Sequence, residues 1–265
     1  MSVFIAGTGC IPAGTDAPSS LSRELRRADG FISLAVQAGF AALGSLSSTL
    51  PRSPRNGLLL GTAYGPMQTN FDVLDKVVRH EQTSPTLFSH SVYNAAVGYL
   101  SRIFQLQGSG LTITDFAFPF FQALQQGSMA IASGRLESCL VLQVETYSDL
   151  FTDARTRIAG KDANRWPAGA IAWLLSGEEG QVDKELTSID VHLQPAPESG
   201  YLAIEERLTC ASHAIAIDSP LGAALAVTGI ITEAPFKDQT ISITAPYGQI
   251  ELCFNGLHPS QEREK

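Results

Sequence analysis

Several chemistries are missing from this chain of 265 residues. Its four cysteines, Cys10, Cys139, Cys210 and Cys253, fall at no metal-ligand spacing and form no C-x-x-C pair, so no metal site is expected and the thiols should be free and buried. Lys and Arg number 18 against 26 Asp and Glu, a net charge of −8 with no basic run, which excludes nucleic acid as a partner. No apolar run approaches the ~20 residues of a membrane-spanning helix. The first residues, Met1-Ser2-Val3-Phe4-Ile5-Ala6-Gly7, carry neither a charged leader nor a small-residue cleavage site, so a cytoplasmic location is expected. Gly7-Thr8-Gly9 is no dinucleotide fingerprint, because Pro12 stands where the third glycine should be; no cofactor is expected. Ser128 follows Gly127 without the rest of a G-x-S-x-G turn.

What the chain does have is 44% apolar residues, enough for a large core. Residues 84–144 hold its clearest pattern. Residues 94–104 are Ala-rich with apolar residues at helical spacing, and Gly108 and Gly110 end them. Residues 111–116 alternate as a half-buried strand does. Residues 118–133 return to helical period, with Gly134 past the end, and a buried strand follows to Val144. Strand, sharp turn and helix is the arrangement on which α/β folds mount a nucleophile. Here the turn reads Asp115-Phe116-Ala117-Phe118-Pro119, with no Cys, Ser, Thr, Lys or His.

Elsewhere, residues 3–6, 57–61 and 188–193 read as strands, with a turn at Gly7-Thr8-Gly9. Residues 22–46, 67–80 and 221–233 read as helices, residues 149–165 as a basic loop, and 241–254 as a hairpin. Cys210 and His213, three apart, could share one side of a helix.

These residues resemble the ketosynthases of fatty acid and polyketide assembly, which have the thiolase fold. Ser91-Val92-Tyr93-Asn94 matches the family's S-V-x-N segment. Gly108 to Ala117 lies along its G-P-x-x-T-x-D-T-A-C signature without a gap, which sets Ala117 on the acyl-carrying cysteine. Thr62-Ala63-Tyr64-Gly65 after Gly61 matches a G-T-x-x-G turn. In the second half, Gly222-Ala223-Ala224 fits a G-A-A segment, which sets Ala214 on the family's lysine and Ser219 on a histidine; no H-G-T-G-T loop exists.

The resemblance implies a thiolase-like α/β fold layered α-β-α-β-α. Residues 1–193 would form a complete N-terminal half, 194–256 a shortened C-terminal half and 257–265 a polar tail. It implies a non-catalytic subunit of chain-length-factor type, as in aryl-polyene, fatty acid and polyketide systems. Such a subunit pairs as a heterodimer with an active ketosynthase, which does the acyl transfer, and meets acyl carrier protein through the complex. Met67, Phe71 and Leu74, with Phe116 and Phe118 at the turn, would line the acyl tunnel. Ala96, Tyr99, Leu100, Ile103, Leu111 and Ile113 would form the interface. The alternatives are a malonyl-carrier decarboxylase with relocated chemistry and a subunit that only stabilises or docks.

Overall fold

The first strand of the chain lies at the centre of its sheet. β1 (Val3–Pro12) pairs antiparallel with β5 (Gly169–Ser176) and, through Val3 and Phe4, with β6 (Lys184–Leu193). The structure is a computed structural model and describes residues 2–44, 53–159, 166–179, 184–195, 206–210, 213–233 and 236–256. Gly7-Thr8-Gly9 is not a turn: β1 runs through it to Pro12, with a register shift between Ile5 and Gly7. Glycine is needed at position 9, where a Cβ would lie 2.3 Å from the Ala38 carbonyl oxygen.

On one side of β1 and β5 stand β4 (Ser138–Glu145), β2 (Asn56–Thr62) and β3 (Gly110–Thr114), the last three mutually parallel. On the other side β6 leads to β10 (Gly248–Gly256), β9 (Gln239–Ala245), β7 (Glu206–Cys210) and β8 (His213–Ile217). β3 and β8 are therefore the two edges of a ten-stranded sheet. Cys210 and His213 stand opposite each other in the β7–β8 hairpin, not on a helix.

Helices fill the faces. The expected helix over residues 22–46 is divided into α1 (Ser22–Leu25) and α2 (Gly30–Leu43). The cause is Asp29, whose side chain accepts from the Ile32 N–H at 2.8 Å and caps a new helix start. Then come α3 (Met67–Val78), α4 (Pro85–His90), α5 (Ala95–Phe104) and α6 (Pro119–Ala132). α7 (Asp149–Ala159) occupies most of the segment expected as a loop, and α8 (Gly222–Thr232) follows β8.

Alternating strand residues separate two cores. Leu58, Leu60, Leu140, Leu142 and Leu174 face α2 and α5. Leu59, Val141, Ile171, Trp173 and Leu175 face α6 and α8, and meet Ile241, Ile243, Ile250 and Leu252 from the other half of the sheet. Gly127 lets α6 approach closely: a Cβ there would touch Val141, Cys139 and Leu175. The thiolase-like α/β class is as expected. The described residues stack as α-β-α-β, and among them no helix covers the far face of the second half-sheet. That face carries Arg207, Thr240, Thr244, Gln249 and Glu251, all exposed, as a solvated sheet face should. The tail 257–265 lies outside the described residues. Among those described, no helix is long and apolar enough to cross a membrane. Cys10 is exposed, Cys210 and Cys253 half-buried, and only Cys139 fully buried, so the expectation of four buried thiols fails.

The most demanding contact joins β2 to α6. A Cβ on Gly61 would lie 2.3 Å from the Pro119 carbonyl oxygen, a backbone atom that cannot step aside. Gly61→Val is expected to destabilise the chain by at least ~2 kcal/mol, in line with other overpacked cores. Urea unfolding measures it, with Gly229→Ala, where a Cβ meets nothing within 4 Å, as the control. Equal stability of the two variants would contradict the close packing.

Candidate functional site

The turn between β3 and α6 is held by its own side chains. Asp115 Oδ1 accepts from the Ala117 N–H at 2.9 Å. Gln122 Nε2 donates to Asp115 Oδ2 at 3.1 Å and to the Ala117 carbonyl at 2.6 Å. Phe118 makes the corner, with φ 54° and ψ 47°, a left-handed conformation that costs a non-glycine residue about 1 kcal/mol or more. Pro119, at the first helical position, suits the start of α6. The elbow thus has a sharp, fixed backbone. Ala117 and Phe118 are both buried, and neither carries a nucleophile. Ser219 is buried just before α8, whereas Ala214 sits exposed on edge strand β8. No histidine occupies either position.

Two buried carboxyls flank the elbow, and the sequence reading singled out neither. Glu145 ends β4 fully buried. It accepts from the Ala63 N–H at 2.7 Å, from Gln143 Nε2 at 2.9 Å, and from the Tyr64 N–H and Thr62 hydroxyl at 3.4 Å each. Burial still pushes its pKa up to about 7, against the lowering effect of these donors. Gln143 also donates to the Pro220 carbonyl at 2.9 Å, which ties β4 to the loop before α8. On the other side Phe118 packs on Tyr247, ring centroids 5.0 Å apart. The Tyr247 hydroxyl donates to Glu206 Oε1, while Glu206 Oε2 has no partner among the described residues. Burial lifts Glu206 to about 7 as well, with the tyrosine hydrogen bond acting against it.

An aromatic cluster covers the strand ends. Tyr64, Phe116 and Tyr147 each lie two residues beyond β2, β3 and β4. The Tyr64 ring lies 5.2 Å from Phe116, 5.7 Å from Tyr147, 4.8 Å from Phe151 on α7 and 5.9 Å from Trp166. Only Phe116 had drawn attention in the sequence. The visible signal for the others is an aromatic at a constant offset from three parallel strand ends.

The remaining expected residues divide by burial. Met67 and Phe71 are half-buried on α3, and Leu74 is 53% exposed. Ala96 and Leu100 are fully buried in the chain's own core under α5, so they present no surface to a partner. The resemblance had set them at the interface, but their side of α5 is the one packed on α2. Ile103 is half-buried, and the hydroxyl of half-buried Tyr99 lies 3.0 Å from Nε2 of buried His90. Leu111 is 50% exposed, Ile113 half-buried and Phe116 39% exposed. The Leu58 N–H bonds Ser109 O and the Asp115 N–H bonds Thr62 O. Odd-numbered residues of β3 therefore face β2, and the backbone groups of Gly110, Thr112 and Thr114 face the open edge. Among the described residues no group of His, Cys, Asp and Glu gathers as a metal site.

The folded pKa of Glu206 lies above its unfolded value of ~4.3. The neutral acid is thus favoured by folding; that contribution is whole below about pH 4 and is lost as pH rises through about 7. Glu206→Gln keeps an acceptor for Tyr247 and removes the titration. The variant is expected within ~1 kcal/mol of the parent at pH 5 and more stable by on the order of 2 kcal/mol at pH 8. Urea unfolding at both pH values checks this; a difference that does not change with pH would contradict it.

A search of curated protein sequences gives no match. Residues 41–219 match the family model described as beta-ketoacyl synthase, N-terminal domain. Among solved structures, the ishigamide ketosynthase/chain length factor is similar, with a TM-score of 0.64 and 15% identity over 74% of this chain and 68% of that one. A structure of a type II polyketide acyl-carrier protein in complex with its ketosynthase gives 0.62 and 18% identity, over 73% and 69%. A ketosynthase in complex with its chain length factor from Xenorhabdus doucetiae gives 0.60 and 16%, over 96% of this chain and 99% of that one. At these identities the likeness concerns the fold, and the last match shows the shortened form recurring in a chain of similar length. The family match spans about two thirds of the chain, from inside α2 through the elbow to Ser219, and the chain belongs to the beta-ketoacyl synthase N-terminal domain family.

Proposed function

We propose that the chain is a non-catalytic ketosynthase-like subunit that pairs with an active ketosynthase and shapes its acyl tunnel. The observation that carries this is the elbow. Its backbone is sharply formed and rigidly held, yet Ala117 and Phe118 fill the place where a thiolate would stand. Claisen condensation needs a nucleophile to carry the acyl group and bases or donors to drive it. Removing such residues costs orders of magnitude in rate. A decarboxylase would need the same missing donors, so it finds no support here.

Pairing is supported by the surface beside the elbow. Among the described residues β3 leaves a row of backbone donors and acceptors open, an arrangement that natural proteins cover or pair. Around it Leu111, Phe116, Val92, Tyr93 and Phe88 are exposed, and α3 adds Leu74 and Val77. Scattered apolar side chains are ordinary on a surface; a concentration beside an open sheet edge is the mark of an interface. The structures named above hold ketosynthases together with chain length factors or a carrier protein. By that analogy the partner is an active ketosynthase, and a carrier protein visits the pair.

The pairing test is co-expression with an active ketosynthase from the same organism. A one-to-one complex is expected, and Ile113→Asp should abolish it, because an unpaired charge at a buried interface costs several kcal/mol. Light scattering that shows a stable monomer, indifferent to the ketosynthase, would remove the proposal.

The tunnel role is tested by product length. Each buried CH₂ of a growing chain gains about 0.8 kcal/mol, so elongation proceeds until the chain meets a wall. Met67→Ala and Phe71→Ala are expected to shift the products of the reconstituted pair to longer chains, read by mass spectrometry. Wild-type lengths from variants that still form the pair would leave a purely stabilising subunit.

A further inference from the structure

The surface beside β3 has a hollow in it. On the face that α6 covers lies a cavity of about 200 Å³. Its floor is apolar: Leu59 and Leu136 are 7% and 6% exposed, and Ala130 is half-buried. Its rim is Leu111, Gln126 and Arg135, all exposed. The Arg135 Nε–H donates to Ser133 Oγ at 3.2 Å, and among the described residues the guanidinium pairs with no carboxylate. Small-molecule sites run to about 300–1,000 Å³, so this cavity is undersized for a cofactor or a drug-sized ligand. It has instead the size and build of a pocket for one large side chain, with a buried apolar floor inside a polar rim.

The register of β3 decides what reaches the cavity. The backbone groups of Gly110, Thr112 and Thr114 face the open edge. An antiparallel strand laid there exchanges hydrogen bonds with those three residues. Its residue opposite Leu111 then falls in a non-hydrogen-bonded pair, the closer kind, with both side chains on one face. That face is the one on which Leu111 meets Gln126 and Ala130 of α6 around the cavity. The side chain opposite Leu111 is therefore delivered to the mouth of the pocket. A second copy of the chain fits less well, because β3 offers no acid to Arg135 between Gly110 and Thr114.

We infer that this cavity is the anchor pocket of the pairing surface. It takes one large apolar side chain, aromatic or leucine-like, from an extended edge strand of the ketosynthase, with an acidic residue beside it for Arg135. This rests on the pairing role proposed above and adds to it the chemistry of the partner. An open backbone edge accepts any strand, so the pocket and its arginine are what let this subunit choose among ketosynthases. A side chain buried in a pocket at an interface carries more of the binding energy than the rim around it, so closing the pocket costs more than its area suggests.

The test closes the pocket and identifies its occupant. Gln126→Trp at the exposed rim and Ala130→Phe on the floor both fill it from the α6 side. Each is expected to weaken the complex with an active ketosynthase roughly tenfold or more by interferometric titration. Arg135→Glu is expected to weaken it as well, and Ala132→Phe, on the side of α6 turned toward β6, to bind as the parent does. Urea unfolding of each variant reports the fold; if Ala130→Phe does not fold, Gln126→Trp, which lies outside the core, decides alone. Replacing Gln126 by the photo-crosslinker p-benzoylphenylalanine then marks the occupant. The expected crosslink is to a ketosynthase strand that carries a large apolar residue and an acid. Parent affinity in Gln126→Trp, or a crosslink into a second copy of the chain, overturns the anchor pocket and leaves the pairing role standing. Absence of any complex with the parent chain removes the pairing role and the anchor with it.

Discussion

The contact of α6 with Gly61 sets the rest of the site. With no side chain on β2 at that point, the first turn of α6 lies directly against the strand. The turn before it must then be short and bent, and Phe118 takes the left-handed corner that results. This fixes Phe116 toward Tyr64 and Phe118 toward Tyr247, so two aromatic groups on opposite sides of the elbow depend on one missing methyl. Glu145 secures the neighbouring turn, with its oxygens on the amides of Ala63 and Tyr64. A carboxylate would rather be hydrated; its retention here shows how much the turn's geometry relies on those acceptors.

The elbow is thus sharply formed, and no nucleophile stands in it. Shape alone is expensive, since a strained corner and a buried acid both work against stability. Both persist around Ala117, which cannot react. Together they set the position of Phe116, beside the edge strand β3.

Much of the architecture was legible in the sequence. Residues 95–104 and 119–132 follow their apolar periods closely, because each helix packs one clear face on a core. The empty elbow was legible too, since it depends only on which residue types are present. Less could be read where local pattern and tertiary contact part. Ala96 and Leu100 have the spacing of an exposed apolar stripe, and only the position of α2 shows that the stripe is already covered. Gly9 looks like punctuation, and the close approach of α2 explains a glycine inside a strand there. α7 has mixed composition and was hidden among charges; its Phe151 matters through Tyr64, more than 80 residues earlier, a contact no local window contains. Glu145 and Glu206 gave no signal by type, because what sets them apart is burial.

The central place of β1 bears on how the molecule is made. Phe4 pairs with Ser176 and Glu185, and Val3 with Leu186, so this strand waits for residues synthesised far later than itself. Helices α2 to α6 and the parallel strands between them can form meanwhile, but the two half-sheets cannot be joined. Nor can the central strand gain its hydrogen bonds until most of the chain has emerged. Non-local pairing of this kind slows folding and leaves apolar strand exposed in the interval. Val3, Phe4 and Ile5 stay uncovered until then, and their burial marks the moment at which the two half-sheets become one body.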